Sequence, residues 1–275
     1  MNTSLMLFQI YYNENTKAQV EPGFIGLDNT SGPSWAFEAH PIYEFLSTNI
    51  SKLENQWLGF FSPKFREKTN VGADDLKNAI QRYVANTDVF LISSFWEQAA
   101  GCLNVWQHGE FHHPGLLEIS QNLANDAGYD IDLKKSITTF ETAVFSNYIV
   151  AKADFWKEWH RVVGLYLKQI MFDKKLKASG TEYLGGLLPI HTFVIERVAS
   201  MILLGGKFRS SYELDLYQKS NRWNPSLNRS IIQMNQSKRL YIYTKNPVWL
   251  RRFEMQCQKF NLAASDYQRA KSNIV

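Results

Sequence analysis

Cysteine is scarce in this chain, and so are long apolar runs. Two cysteines, Cys102 and Cys257, occur among 275 residues, and no Cys-x-x-Cys spacing joins them. A disulfide framework or a cysteine zinc site is therefore not expected, and both thiols fit a reducing compartment. No stretch reaches the roughly 18 apolar residues of a membrane-spanning helix. The apolar run at residues 5–10 lacks the basic start of a secretory signal. We predict a cytoplasmic location, with peripheral contact at the inner membrane face as an option.

Charge is nearly balanced. The formal net charge is +4, and no run of five basic residues occurs, so a nucleic-acid partner is not expected. Three short basic groups stand out. Each is interpreted as solvated surface or as a contact for anionic lipid or a substrate diphosphate. These groups are Lys134-Lys135, Lys174-Lys175-Lys177 and Arg251-Arg252.

Several common catalytic motifs are missing. The chain has neither the G-x-G-x-x-G pattern nor the phosphate-binding P-loop. The G-x-S-x-G elbow of hydrolases and the H-E-x-x-H pattern of zinc proteases are absent too. These absences argue against the commonest hydrolases, kinases and zinc proteases. They leave open a fold that holds a nucleotide without a glycine-rich loop.

Apolar segments alternate between strand-like and helix-like periodicity through residue 211. Strands are predicted at 5–11, 24–27, 56–61, 88–93, 144–151 and 207–211. Helices are predicted at 37–47, 74–84, 116–127, 154–171 and 188–204. A polar linker at 221–228 and weaker helices at 229–236 and 248–260 follow. The alternation predicts an α/β fold in which helices flank a mixed sheet. We expect one domain over 1–211 and a small helical appendage over 212–275.

Histidines cluster at residues 108–113. Here His112-His113 follows Glu110, and His108 lies one helical turn earlier. Imidazole and carboxylate groups are good metal ligands, and a histidine also suits a substrate contact or a general base. On an extended segment, adjacent side chains point to opposite sides, which disfavours one shared ion. Metal binding, substrate contact and a purely structural loop all remain open.

A second candidate is Glu196, which precedes Arg197 within an apolar segment. A carboxylate beside an apolar stripe usually has a partner. The pair is therefore either a salt bridge inside the fold or a base that faces a cleft.

The order of several segments resembles bacterial capsular-polysaccharide and O-antigen glycosyltransferases with a GT-A-like fold. The similarity covers roughly residues 5–211. It rests on an early Asp-Asn loop, a following Glu-containing helix, a Gly-containing strand with basic residues after it, a strand with an aromatic, His-containing region, a Phe-Asn-Met-Phe-Ile-Met segment before a long helix, and a late Glu-Arg pair. The corresponding residues here are Asp28-Asn29, Glu38 to Phe45, Leu58 to Arg66, Asp88 to His113, Phe145 to Val150, and Glu196-Arg197.

This resemblance implies transfer of a sugar, with a UDP-hexose as the donor by analogy, to a glycan or lipid-linked acceptor in surface-glycan synthesis. It places the nucleotide near Tyr11, Tyr12, Asp28 and Asn29, and the diphosphate near Lys64 and Arg66. Glu110, Ser146 and Asn147 are expected around the sugars. The catalytic candidates are His112, His113 and Glu196.

The chain departs from the family at two points. Ser62-Pro63-Lys64-Phe65 stands where the family has His-Tyr-Arg-Arg. The Asp-x-Asp metal motif of GT-A enzymes does not end any apolar strand, and Asp130-Ile131-Asp132 instead follows a helix. Because Lys64 and Arg66 would supply the charge of a metal, no metal ligand is assigned, and Mn²⁺ or Mg²⁺ stays an open cofactor.

Two further functions remain alternatives. One is a noncatalytic carbohydrate-binding or scaffold protein with the same fold, which the altered segment at Ser62 favours. The other is a metal-dependent hydrolase built around His108, Glu110, His112 and His113.

Overall fold

A six-stranded mixed sheet forms the centre of the molecule. The computed structural model describes residues 4–33, 35–83, 85–92, 97, 100–183, 186–213, 216 and 225–272. The sheet has the order β2-β1-β3-β5-β4-β8. Its strands are β1 (Leu5–Tyr11), β2 (Ile25–Asp28), β3 (Trp57–Phe61), β4 (Val89–Leu91), β5 (Ile149–Lys152) and β8 (Ser210–Tyr212). A separate hairpin pairs β6 (Gly180–Tyr183) with β7 (Gly186–Pro189).

Strand direction brings several chain segments to one edge of the sheet. Strand β1 runs parallel to β2 and β3, and β4 runs parallel to β8. Strand β5 lies between β3 and β4 and is antiparallel to both. The ends of the five parallel strands therefore meet the start of β5. We call this the carboxyl edge, and in open α/β sheets it is where ligands bind.

Helices cover both faces of the sheet. They are α1 (Glu14–Ala18), α2 (Ala39–Asn49), α3 (Phe65–Thr69), α4 (Ala73–Tyr83), α5 (Val105–His112), α6 (Leu116–Asp126), α7 (Ala153–Phe172), α8 (Lys174–Ala178), α9 (Ile190–Ile195), α10 (Val198–Leu204), α11 (Pro225–Thr244) and α12 (Val248–Ser272). A short 3₁₀ turn, Ile50–Lys52, follows α2. The predicted fold class, a mixed sheet flanked by helices, is confirmed.

The long helix α7 is the main support of one face. Its aromatic stripe is buried, and the indole Nε1 of Trp156 donates to the carbonyl of Leu58 on β3 over 2.9 Å. Gly164 lets α7 approach Tyr43 of α2, because a Cβ at Gly164 would lie 2.9 Å from the tyrosine ring. The opposite face packs Leu7 and Trp57 beneath α3 and α4. Each face of the sheet thus has its own apolar layer.

The six strands predicted from the sequence are all present, since short buried apolar runs bounded by turns identify them well. The strand predicted at 144–151 starts later, at Ile149. The reason is Ser200, whose hydroxyl accepts from the N–H of Val144 and donates to its carbonyl. That side chain satisfies the backbone groups that a strand partner would otherwise take.

The single helix predicted over 188–204 is wrong. Its first residues belong to β7, and two short helices, α9 and α10, follow. Pro189 fixes φ and has no N–H, and it stands immediately before α9. A second break falls at Glu196 and Arg197. The sequence also gave no indication of the β6–β7 hairpin or of the short helices α1, α3 and α8.

The two C-terminal helices form an antiparallel hairpin and are longer than predicted. Residues 221–224 of the predicted linker lie outside the described part of the chain, and Pro225 begins α11, a position that proline favours. Ile231, Met234 and Phe253 pack with Phe140 of the main body. The division of the chain at residue 211 stays a prediction. Within the described residues, no helix is both long and apolar enough to cross a bilayer.

Candidate functional site

Tyr11 and Asp28 are paired at the ends of β1 and β2. The Asp28 carboxylate accepts from the N–H of Thr30 over 2.7 Å. Desolvation and this carboxylate raise the pKa of Tyr11. The Thr30 backbone bond lowers the pKa of Asp28, so the group stays ionised. The two predicted nucleotide contacts thus form one polar unit at the carboxyl edge.

Asn29 closes the loop that leads to α2. Its backbone N–H donates to the carbonyl of Tyr11, and its side-chain amide donates to the carbonyl of Phe37, both over 2.9 Å. The side chain is buried, and its Oδ1 has no hydrogen-bond partner in the structure. Buried acceptors are normally paired, so this oxygen is available to a ligand or water.

Glu196 lies in the break between α9 and α10. It is half-buried, and burial raises its pKa to about 7, with Arg197 opposing and Glu38 reinforcing that shift. The guanidinium of Arg197 donates instead to the carbonyls of Val105 and Phe193, over 2.9 and 2.7 Å. Arg197 therefore ties α5 to α9 and acts on Glu196 through space.

Four other side chains share the surroundings of Glu196. Burial raises the pKa of Glu38, at the start of α2, and the nearby charge of Lys68 on α3 opposes the shift. Lys68 also acts on Glu196, and its Nζ lies 5.7 Å from the ring centre of Tyr148. Burial and the charge of Glu38 raise the pKa of both Tyr12 and Tyr148. This set, Tyr12, Glu38, Lys68, Tyr148 and Glu196, is called the carboxylate cluster.

The segment before β5 adds unpaired polar groups beside this cluster. Tyr148 shares a hydrogen bond with the hydroxyl of Ser62, directly after β3. Ser146 and Asn147 are buried, and neither Ser146 Oγ nor Asn147 Oδ1 has a partner in the structure. Tight backbone bonds from Tyr148 to Ser146 and from Ile149 to Asn147 hold the turn. It can therefore present two hydrogen-bonding groups to a polar ligand.

The two basic residues predicted at the diphosphate occupy different surroundings from those expected. Lys64 is exposed at the start of α3. Arg66 is also exposed and forms an ion pair with Glu21. Of the basic residues on α3, Lys68 is the one that interacts with Glu38 and Glu196. Of the basic residues in this segment, the one that acts on the two carboxylates thus lies one helical turn beyond the predicted Lys64.

His108 and His112 lie on helix α5 and His113 follows its end, so the predicted extended segment is wrong up to His112. Asn104 caps α5 by accepting from the N–H of Gln107 over 2.7 Å, and His112 is its last residue. His113 is buried, stacks on Phe193 with 3.7 Å between ring centres, and shares a hydrogen bond with Thr181. His112 is exposed.

Burial keeps two of these histidines neutral. It lowers the pKa of His108 to about 3 and that of His113 to about 4, and the charge of Arg197 adds to both shifts. A neutral imidazole can orient a hydroxyl group by a hydrogen bond. The stacking and the Thr181 bond show that His113 also holds the β6–β7 hairpin against α9.

Glu110 has a structural role. Its two carboxylate oxygens accept from the N–H groups of Gly115 and Leu117, over 2.9 and 2.8 Å. These are free amides at the start of α6, which a carboxylate stabilises. These two backbone hydrogen bonds explain the position of the Glu110 carboxylate without a bound sugar. We therefore leave Glu110 out of the proposed site.

Metal ligation was the third possibility for the histidines. Across the described residues, no group of three or more His, Cys, Asp or Glu side chains is arranged to hold an ion. The hydrolase alternative required such a group at His108, Glu110, His112 and His113. Asp132 of the Asp-x-Asp sequence pairs with Lys135.

Glu38, Lys68 and Tyr148 were not assigned roles from the sequence. Glu38 entered the sequence analysis only as the first residue of the Glu-containing helix, and Lys68 lies beyond the segment that was compared, Leu58 to Arg66. A helix start commonly carries an acidic residue, so that pattern alone does not mark a site. The burial of Glu38 is what separates it from an ordinary helix-terminal charge.

Comparison with known proteins yields a distant structural likeness. No protein-family model matches the chain, and no curated protein matches it. Among solved structures, the chain is similar to the apo structure of the bifunctional glycosyltransferase WbbM, at 15% identity and a TM-score of 0.43. The similarity covers 76% of this chain and 44% of that one. A likeness this distant leaves the function to be inferred from the site itself.

Proposed function

We propose that the protein is a glycosyltransferase that moves a sugar from a nucleotide diphosphate donor to a glycan or lipid-linked acceptor. The observation that carries the proposal is the carboxylate cluster, which places a half-buried glutamate with a pKa of about 7 beside a lysine at the carboxyl edge. Sugar transfer needs both a base for the acceptor and positive charge for the leaving diphosphate.

The nucleotide is expected to lie along the ends of β1 and β2. Tyr11, Asp28 and Asn29 offer a ring, a carboxylate and a free amide oxygen there. Lys68 then faces the diphosphate and stabilises the negative charge that develops as it leaves. Lys64 is exposed one helical turn earlier, at the start of α3, and is the secondary cation in this proposal.

Glu196 is the proposed base. With a pKa of about 7 it is about half ionised at neutral pH, and the ionised form accepts a proton. It removes the proton of the acceptor hydroxyl while that oxygen bonds the anomeric carbon, and the diphosphate leaves with the electron pair of the broken bond. Asn147 and Ser146 hold the sugar hydroxyls through their unpaired oxygens, and His113 is placed on the acceptor side. Such a direct displacement inverts the anomeric configuration.

The first test is the melting temperature of the purified chain with a panel of nucleoside diphosphates and nucleotide sugars, each with and without manganese. A ligand that binds only the folded state raises the melting temperature. We expect one nucleotide family to do so and its sugar conjugate to shift it further. The manganese comparison tests whether a divalent cation takes part.

Turnover of that donor with oligosaccharide acceptors follows, and the anomeric configuration of the product is read by NMR. Binding without turnover across a broad acceptor panel would favour the noncatalytic alternative. A shift with a metal alone, and with no nucleotide, would contradict the transferase proposal.

A further inference from the structure

The tip of the α11–α12 hairpin, residues 240–253, exposes apolar side chains. Tyr243 is 88% exposed and Val248 is 50% exposed, and Leu240 and Ile242 are exposed as well. On the inner side of the same hairpin, Phe253 is buried against the main body. Phe253 thus packs the inner side of the hairpin against the main body. The exposed apolar side chains of the tip form a second surface, which faces outward.

The backbone of the tip is held by its own hydrogen bonds. The N–H of Lys245 donates to Tyr241, and Asn246 Oδ1 accepts from Val248 over 3.0 Å. Lys245 adopts a left-handed conformation at φ 55°, which turns the chain sharply. The turn thus fixes Tyr243 and Val248 on either side of one corner.

The charge of the tip has a single sign. Residues 240–253 contain Lys245, Arg251 and Arg252 and no Asp or Glu. All three cations are exposed, and the guanidinium of Arg252 lies 5.6 Å from the ring centre of Trp249. The neighbouring Arg239 is different, because it pairs with Glu141 over 3.2 Å.

We propose that the hairpin tip binds the surface of an anionic bilayer. Tyrosine, tryptophan and short aliphatic side chains favour the interfacial zone of a membrane, and the three cations attract anionic headgroups. A second copy of the chain fits less well, because a symmetric contact would bring identical cations together. This inference rests on the tip alone and does not depend on the transferase proposal.

The test is co-flotation of the full chain with two kinds of vesicle, one of phosphatidylcholine and one of phosphatidylcholine mixed with phosphatidylglycerol. We expect binding to the mixed vesicles and its loss as salt is raised. Removing both arginines in R251Q/R252Q weakens binding about 25-fold, at about fivefold for each cation. The matched control K52Q/K168Q removes two exposed charges from the main body and leaves binding unchanged.

A second variant, Tyr243→Ser, separates apolar insertion from charge attraction. It lowers vesicle binding while the net charge stays constant, and unchanged melting temperatures show that each variant folds. Equal binding of the wild type to both vesicle types would overturn the proposal. Equal binding of R251Q/R252Q and the wild type to the mixed vesicles would overturn it too. So would a dimer in light scattering that Tyr243→Ser dissociates, since a second copy would then cover the tip.

Discussion

The charge of Glu38 acts on Glu196 across the carboxyl edge, although Glu38 begins α2 and Glu196 lies between α9 and α10. Burial raises the pKa of Glu196 to about 7, Glu38 adds to the shift, and Arg197 and Lys68 oppose it. Paired carboxylates beside one cation are a means of keeping one acid protonatable near neutral pH. The arrangement therefore concentrates the proposed chemistry on Glu196.

Replacing Glu196 with glutamine should abolish most of the transfer reaction. A positioned general base contributes about 100- to 10,000-fold, and the glutamine cannot accept the acceptor proton. Nucleotide affinity should stay close to that of the wild type, because Glu196 is not placed at the diphosphate. The matched control is Glu54→Gln, which neutralises an exposed glutamate before β3, at the opposite edge. Equal rates for the two variants would exclude Glu196 as the base.

The pH dependence of the transfer rate should follow the ionisation of Glu196. The rate should rise with pH around a midpoint near 7 as Glu196 loses its proton. Glu38→Gln removes a nearby negative charge and should move that midpoint to lower pH. Glu44→Gln, an exposed glutamate on the same helix, should leave it in place. A midpoint that is the same in Glu38→Gln and in the wild type would mean that the two carboxylates are not coupled.

Acid stability should depend on His113. Its pKa falls from the ordinary 6.5 to about 4 on folding, so the unfolded chain binds the proton more readily. The stabilisation is complete above about 6.5 and is lost as the pH falls towards 4, at a cost of about 1–3 kcal/mol. The contribution of Glu196 to the free energy of unfolding has the opposite pH dependence. It is lost as the pH rises from 4.5 through 7.

Urea unfolding at several pH values measures this dependence. His113→Asn should flatten the loss of unfolding free energy between neutral and acidic pH. His112→Asn, at the exposed neighbouring position, should leave the slope unchanged. An unaltered slope in His113→Asn would show that other groups cause the acid sensitivity.

Ser200→Ala should destabilise the fold and disturb the turn before β5. The hydroxyl exchanges two hydrogen bonds with the backbone of Val144, over 2.7 and 2.9 Å, and its loss leaves buried backbone groups unpaired. The expected cost is about 1–3 kcal/mol. Ser51→Ala, at an exposed position, serves as the control. Thermal unfolding measures both, and equal melting temperatures would contradict the role assigned to Ser200.

The sheet could be predicted from the sequence because its strands are short apolar runs between turn residues. Tyr11, Tyr12, Asp28 and Asn29 came from the family resemblance, and they lie at or directly after the ends of two parallel strands, β1 and β2. Their contact with a nucleotide stays a prediction. Glu196 was singled out because a carboxylate in an apolar segment needs an explanation. In each case the signal is local to a few neighbouring residues.

The rest of the site depends on contacts distant in sequence. Lys68 was missed because three basic residues on α3 look alike until tertiary packing directs Arg66 to Glu21. The break after Ile195 has no glycine or proline to mark it, and apolar periodicity continued across it. Glu110 was predicted to contact a sugar, because sequence spacing alone does not reveal that this residue of α5 caps the start of α6.

The most direct measurement of the central claim is the affinity of the nucleoside diphosphate in Lys68→Met compared with Lys64→Met, by titration calorimetry. A charge-assisted hydrogen bond is worth about 1.5–3 kcal/mol, so Lys68→Met should weaken binding about 10- to 100-fold. Lys64→Met should have a smaller effect, because that side chain is exposed at the start of α3. Binding that is insensitive to Lys68, or no binding of any nucleotide, would contradict a diphosphate site at Lys68.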